Sequence, residues 1–523
     1  MNVMRAILLL FWAAPLFSLC LLSCSKSMSG GGDDEDDGNT PYNILDVRVV
    51  AVTDSSVTLT WTATGDDADV GTASQYDLRY YHSWLNSTNW DSAVRVTGEP
   101  TPRPTGQADS MVVTGLQKDS TYYFALKAGD EAGNWNNVSN CAVAVCFNDI
   151  EVSFPDPHLD QIIRAAINKP TGAIYRSDVM AVQALDANED SVADLSGIEY
   201  CTNLQAIFMW NNRVSDLSPL AGLTKLRGLQ MGHNLITNIS PITGLVNLES
   251  LHLEDNSISD ISAMTNMTKL VDVMLGGNSI AEITSLSGKA TIQYLSLNGN
   301  EISDIGPLAA LVNVQALDLS TNQIADISAL AGMTKLTTLN LNTNQITGIN
   351  ALSGMTMLTS LDLYSNQISD VTPLAGMADL ERLYLSSNAV SDIAPLAGLT
   401  KVKWLLLYDN QISSIGPLSG MTSMQLLSLS NNPISDVSAI AGMPALEDIQ
   451  FQNCQVVDIS ALSGLTNLKK LVAINNQIID ISPLVANGGI GAGDLIYLNV
   501  NPLSPESVAD IQVLRDRGVT VYY

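Results

Sequence analysis

Four histidines, His82, His158, His233 and His252, are the side chains of this 523-residue chain best suited to proton transfer or metal binding near neutral pH. None stands in a Ser-His-Asp, Cys-His or HExxH arrangement, so hydrolytic chemistry has no recognisable constellation. His233 and His252 fall on neighbouring repeats with Glu254 and Asp255 close by, but their different offsets within the repeat set them apart. The string DANEDSVAD places Asp186, Asn188 and Asp190 like the opening of an EF-hand loop. Ser191 then replaces the turn glycine and Gly197 the closing glutamate. Likewise NGGIGAGD has Gly493 where a calcium-binding nonapeptide needs aspartate, and it occurs once. In GDDADVG, Asp66, Asp67 and Asp69 offer carboxylates, but no glutamate completes a recognised loop, which favours a solvated acidic turn. Cys20, Cys24, Cys141, Cys146, Cys201 and Cys454 include no pair at metal-ligand spacing and are too scattered for a disulfide framework. Cys141 and Cys146 lie on opposite faces of one expected strand. No catalytic residue, metal or cofactor is expected.

A formal charge of −29 argues against a nucleic-acid partner, which needs Lys and Arg surfaces. The first residues, MNVMRAILLLFWAAPLFSLCLLSC, carry one cation, Arg5, and then an apolar run, the pattern of a secretory signal over residues 1–23. Leu21-Leu22-Ser23-Cys24 resembles the bacterial lipobox, which implies lipidation of Cys24 and a membrane anchor at the mature N-terminus. Residues 24–40 are small, polar and acidic, with Asp33 to Asp37 as a charge run, and read as an extended tether. An exported lipoprotein at the outer membrane or cell surface is the expected location.

From residue 41 to 147 the hydrophobic pattern alternates. SSVTLTW sets Val57, Leu59 and Trp61 on one face, and YDLRY does the same with Tyr76, Leu78 and Tyr80. Leu116 followed six residues later by Tyr122, with Phe124, Leu126 and Ala128 alternating after it, resembles a tyrosine corner. Together with Trp61 these residues resemble a fibronectin type III domain, a β-sandwich that serves as a spacer or a binding module.

Beyond residue 184 one unit recurs every 22 residues. Its index positions are Asn212, Asn234, Asn256, Asn278, Asn300, Asn322, Asn344, Asn366, Asn388, Asn410, Asn432, Cys454 and Asn476, each preceded by a variant of L-x-x-L-x-L. This is the leucine-rich repeat pattern: the leucines fill a coil, one short strand per coil stacks into a parallel sheet, and each Asn amide satisfies backbone groups at a turn. Cys454 lacks the amide and weakens its turn. The step to Asn501 is 25 residues, which reads as a loop insertion. Ser218, Ser240, Thr372 and Ser482 precede prolines and read as N-caps of short outer helices or 3₁₀ turns. A row of aspartates four after the index, such as Asp216, Asp304 and Asp480, reads as turn chemistry, since one carboxylate per coil supplies too few metal ligands.

The ends of the array carry expected caps. FPDPHLDQIIRAAIN puts Leu159, Ile162, Ile163, Ala166 and Ile167 on one helical face. Ser504, Pro505 and the face Val508, Ile511 and Leu514, stopped by Gly518, form a second helix. The period, the outer segment SDLSPLAGLTKL and the FPDP cap resemble internalin-type leucine-rich repeats of bacterial surface proteins. That resemblance implies protein recognition on a concave face in the members that are adhesins. The expected architecture is a β-sandwich followed by a right-handed α/β solenoid with a parallel concave sheet: a helical cap over 148–184, repeats over 185–501 and a cap over 502–523.

Because the leucines three and five before the index point inward, residues two, four and six before it face the concave side. In the middle repeats these are small or polar, such as Ser296, Asp318, Ser320, Asn340 and Asn342. They then become Tyr364, Arg382, Tyr384, Trp404, Leu406 and Tyr408 on three consecutive coils, a set rich in hot-spot residue types. Phe208 and Trp210 form a smaller cluster on the first full coil, explained by packing against the cap. The expected function is non-enzymatic binding of a macromolecule, a protein or a glycan, on this patch. The other reading is a structural envelope spacer with no specific ligand.

Overall fold

A computed structural model describes residues 40–68, 70–147 and 149–523. The signal segment, Cys24, the tether through residue 39, and Asp69 lie outside the described residues. The chain divides into two compact units between Asp149 and Ile150. Among the described residues no helix is long and apolar enough to cross a membrane.

The first unit is a sandwich of two sheets. Strands Arg48–Val52, Ser56–Thr62 and Ala108–Thr114 form one; Val94–Arg95, Gln75–Tyr81, Thr121–Gly129 and Ala142–Val145 form the other. Val57, Leu59 and Trp61 alternate into the core, where Trp61 meets Tyr76 edge-on at 5.2 Å between ring centroids. The tyrosine corner is present, with the backbone N–H of Gln117 donating to the Tyr122 hydroxyl at 2.8 Å. Cys146 is buried in the central core while Cys141 packs with Leu85 and Trp90 on the outer face, so the two thiols do face opposite ways.

The second unit is one sixteen-stranded parallel sheet in strict chain order, from Ala184–Asp186 to Thr520–Tyr522. Each strand pairs with the residue one repeat on, as Leu361 with Leu383, and Leu185 is in register with Ile207, so DANEDSVAD belongs to a first coil. The insertion before Asn501 is absorbed in a loop, and Leu471 pairs with Ile496 without loss of register. Inside each coil the aliphatic side chains are almost wholly buried, as Ile346, Leu352, Leu358, Leu361 and Leu363 are. Truncating one of them, such as Leu361→Ala, removes about 2–5 kcal/mol by leaving a void.

The index asparagines join the coils. Asn366 is typical: its amide donates to the carbonyls of Leu341, Leu363 and Tyr364 at 3.0, 3.2 and 3.3 Å, and its oxygen accepts from the Ile346 N–H at 3.0 Å. The residue before each index is left-handed, with φ from +53° at Asp255, Thr343, Asp409 and Asn453 to +66° at Gly277. That conformation turns the chain out of the strand and aims the following Asn inward.

On the convex side the outer turns are of the expected kind, but their caps are not. This side is built from 3₁₀ turns such as Ser218–Leu220 and Thr372–Leu374, and only the last, Ser482–Ala486, is α-helical. Ser218, Thr372 and Ser482 do not cap these turns; they are the first residues inside them. The acceptor is the aspartate two residues earlier: Asp216, Asp370 and Asp480 each take the backbone N–H of that residue at 2.8 Å. Asn238 serves Ser240 in the same way at 2.9 Å.

The cap regions also differ in detail. The helix Pro157–Ala166 buries Leu159 and Ile163, with Ile162 and Ile167 half-buried, but Ala166 is exposed. Asp156 fastens this helix to the first coil: one oxygen accepts from the N–H groups of His158 and Leu159, the other from Ala193 and Asp194, at 2.7–3.2 Å. In the helix Pro505–Asp516 the buried face is Ser507, Ile511 and Leu514, and Val508 is exposed. Ser507 takes the inner place because its hydroxyl donates to the Ile479 carbonyl and accepts from the Ile481 N–H, two backbone groups of the last coil. The segment expected to be only a cap also adds a strand, Thr520–Tyr522, whose Val521 carbonyl accepts from Arg515 at 2.8 Å.

Candidate functional site

Strand alternation places the six concave residues in three rows that run across the coils. In the row six before the index, Ser360, Arg382 and Trp404 are register neighbours; in the row four before it, Asp362, Tyr384 and Leu406 are. Tyr364, Ser386 and Tyr408 form the third row. Trp404 is 43% exposed and Tyr364 36%, while Arg382, Tyr384, Leu406 and Tyr408 are half-buried. The Arg382 guanidinium lies 5.9 Å from the centre of the Trp404 ring, within cation–π range, and its Nε is 3.4 Å from the Ser360 hydroxyl. The rings of Tyr364 and Tyr408 approach to 6.0 Å. The six residues therefore form one continuous surface.

Leu426, register neighbour of Trp404 on the next coil, extends the apolar area and obeys the same spacing rule, although the sequence reading stopped one coil short of it. Asp362 accepts from the Asn342 amide at 3.0 Å and the Tyr364 N–H at 2.9 Å. Burial pushes its carboxyl above the usual range despite those donors. Burial also raises the phenols of Tyr384 and Tyr408, and for Tyr408 the neighbouring Tyr364 adds to the effect. The patch is thus a partly dried aromatic surface with one guanidinium and one reluctant carboxylate. It is apolar in the middle and carries its charged groups at one side.

The other candidates resolve into local structure. His252 pairs with Asp272 at 2.9 Å and His233 with Asp255 at 2.9 Å, two separate pairs. Trp210 packs edge-on against His233 of the next coil, with ring centroids 5.0 Å apart. Asp186 accepts from the Asn188 amide, and Asp66 from the N–H groups of Asp67 and Thr72, which are turn geometries. Among the described residues no group of three or more His, Cys, Asp or Glu could hold a metal ion.

Comparison with known proteins matches the family pattern "Leucine Rich repeats (2 copies)" to residues 188–244, 291–332, 312–354, 356–398 and 400–442, and "Fibronectin type III domain" to residues 41–141. Among solved structures, an internalin of Listeria monocytogenes (inlF) is 35% identical over 64% of this chain and 94% of its own, with a TM-score of 0.58. The functional domain of InlJ from the same organism is 21% identical over 66% of this chain and 80% of its own, with a TM-score of 0.55. A plant peptide hormone receptor, RGFR1 in complex with RGF2, is 19% identical over 65% of this chain and 67% of its own, with a TM-score of 0.56. The last two share the fold alone. A search of curated protein sequences returned no match.

Proposed function

Since the chain belongs to the internalin family of leucine-rich repeat proteins, we propose that it is a non-enzymatic, lipid-anchored envelope protein that binds another protein on the concave face of its repeats. The observation that carries this reading is the continuous patch of Tyr364, Arg382, Tyr384, Trp404, Leu406 and Tyr408 on three consecutive coils, bordered by small and polar residues. Aromatic and Arg side chains dominate binding hot spots, and an exposed cluster of them is costly to keep without a use. Tyr384, Trp404 and Tyr408 act as anchors and Arg382 as a charged or stacking contact. A similarly folded array is described as a plant peptide hormone receptor in complex with RGF2, which favours a protein ligand over a glycan. The fibronectin type III unit is proposed as residues 41–147 and the tether as residues 24–40, with Cys24 carrying the lipid.

The test has two parts. Mass spectrometry of the mature N-terminus should find acylated Cys24, and an unmodified N-terminus elsewhere defeats the anchor. For the concave face, partners captured from envelope and host-surface extracts are titrated against wild type, Trp404→Ala and Tyr408→Ala. Each substitution should weaken binding by at least about 1–2 kcal/mol with the fold intact. Unchanged affinity in both, together with loss on convex-side substitution, would overturn the concave assignment; no partner at all would leave the spacer as the better account.

A further inference from the structure

The two lateral edges of the solenoid carry opposite charge. Where the chain leaves each strand and enters the convex turn, the position four after the index is acidic in ten coils, from Asp216 through Glu282 to Asp480, and basic in none. On the other edge, where the chain enters the strand, the positions nine and seven before the index hold Lys225, Arg227, Lys269, Lys335, Lys401, Lys403 and Lys469. Four of these cations are neutralised by a carboxylate one coil away: Arg227 by Glu249, Lys401 by Asp379, Lys403 by Glu381 and Lys469 by Glu447. Lys225, Lys269 and Lys335 have no carboxylate partner among the described residues. Each instead donates to the side-chain oxygen of an asparagine one coil earlier, Asn203, Asn247 and Asn313.

These three lysines coincide with the hollows of this edge. A hollow of about 370 Å³ is lined by Gln205, Lys225, Arg227, Asn247, Glu249 and Lys269. A second, of about 350 Å³ on the following coils, is lined by Gln293, Asn313, Gln315 and Lys335 together with Val271, Ala290 and Thr291. Lys269 of the first and Val271 of the second lie two residues apart, so the two hollows follow one another as a shallow groove along this edge. Its polar lining is mainly lysine and carboxamide, the one carboxylate, Glu249, being held by Arg227, and the bound lysines keep two of their three N–H donors free. Successive coils are roughly 4.8 Å apart, so the free ammonium groups recur at about 10 and 14 Å.

We propose that this groove is a second binding site, for a linear acidic glycan whose anionic groups meet Lys225, Lys269 and Lys335 and whose hydroxyls meet the intervening amides. Carboxamides supply both donors and acceptors, as sugar hydroxyls require. The groove's lining contains no aromatic ring on which a base would stack, which disfavours single-stranded nucleic acid. The overall charge of −29 does not forbid the contact. The acidic edge is separated by a strand and its turns, roughly 20 Å, more than twice the Debye length of about 8 Å at physiological salt.

The experiment measures binding of the full chain to polygalacturonate and to its methyl ester, in which the same backbone has lost its charge. Wild type should bind the polyanion, more weakly as salt rises, and should not bind the ester. Lys225→Gln, Lys269→Gln and Lys335→Gln together should lower affinity at least tenfold. The control, Lys401→Gln, Lys403→Gln and Lys469→Gln together, removes three charges from the same edge at carboxylate-paired positions and should change affinity less than twofold. Trp404→Ala should leave it unchanged, which separates this site from the concave patch. No binding at low ionic strength, equal binding of the ester, or equal losses in the two triple variants would overturn the proposal. So would light scattering that finds a dimer abolished by the first triple variant, since that outcome assigns the edge to a second copy of the chain.

Discussion

Tyr364 and Tyr408 stand two coils apart, and their rings approach to 6.0 Å across Ser386, which lies between them fully buried with its hydroxyl unpartnered. Two coils should separate parallel side chains by nearly 10 Å, so the rings lean together and roof over the serine. Leaving a hydroxyl unpaired in a dry place costs about 1–3 kcal/mol. Ser386→Ala should therefore be neutral or stabilise by up to about 1 kcal/mol, read from the denaturation midpoint. A clear loss of stability would mean the hydroxyl has a partner or that the roof depends on it.

The asparagine row has one natural interruption. Cys454 offers sulfur contacts of 3.6 Å to the carbonyls of Leu429 and Gln452 but no oxygen, and the Ile434 N–H turns instead to its own coil, donating to Asn432 at 2.8 Å. Asn366→Ala should cost about 1–3 kcal/mol by orphaning buried backbone groups. Cys454→Asn should gain roughly 0.5–1.5 kcal/mol. Urea titration of both variants checks the pair, and equal midpoints for Asn366→Ala and wild type would refute the role given to the amides.

Lys289 occupies a core position held by Leu or Met in neighbouring coils, such as Met267 and Leu311. It is 4% exposed, and its ammonium donates to the Thr265 and Met267 carbonyls at 3.1 Å each. Burial lowers its pKa. Lys289→Met should stabilise the array by about 1–3 kcal/mol at neutral pH. The unfolded chain holds this proton more tightly than the folded one, so wild-type stability rises with pH toward the unfolded value near 10.4, and the advantage of the variant should shrink over that window. Thermal melts of both proteins from pH 7 to 10.5 measure it; a constant difference would show that burial leaves the lysine's pKa where it is in the unfolded chain.

Burial pushes the Asp156 carboxyl upward, but its four backbone N–H donors outweigh that and hold it below the ordinary range. Its contribution should be complete above about pH 3.9, the unfolded carboxylate value, and disappear as pH falls through the lower folded value. Asp156→Ala should cost roughly 2–4 kcal/mol and free the helix Pro157–Ala166 first. Amide exchange localised to that helix and the first coil is the expected signature, and exchange spread evenly over the array would contradict it.

The sequence carried the repeat because each coil faces the same demand: Asn212 through Asn476 must supply an amide at the same turn, so the spacing cannot drift. Alternation likewise sorted Trp404 and Leu406 from Leu405 and Leu407. Capping was misread where two residues competed for one role. Ser or Thr before Pro is a familiar cap, yet here Asp216 and Asp370 are the acceptors, taking the backbone N–H of Ser218 and Thr372 themselves. Ser507 displaced Val508 from the buried face because of bonds to Ile479 and Ile481, which become neighbours only once the last coil is closed. The burial of Ser386 depends on how two distant rings lean, and no local pattern encodes that. Lys289 was legible in principle, as the cation in the leucine column.

Every index asparagine bonds to the same relative positions, its amide reaching 25 residues back and its oxygen serving the N–H 20 residues back, as Asn344 and Asn388 both do. A gene for such a chain can lose or duplicate a whole 22-residue unit by unequal recombination, and the new junction finds every donor and acceptor already in place. Array length is therefore free to vary between generations while the stacking is inherited intact. Selection can move the aromatic coils nearer to or farther from either cap of the array one unit at a time.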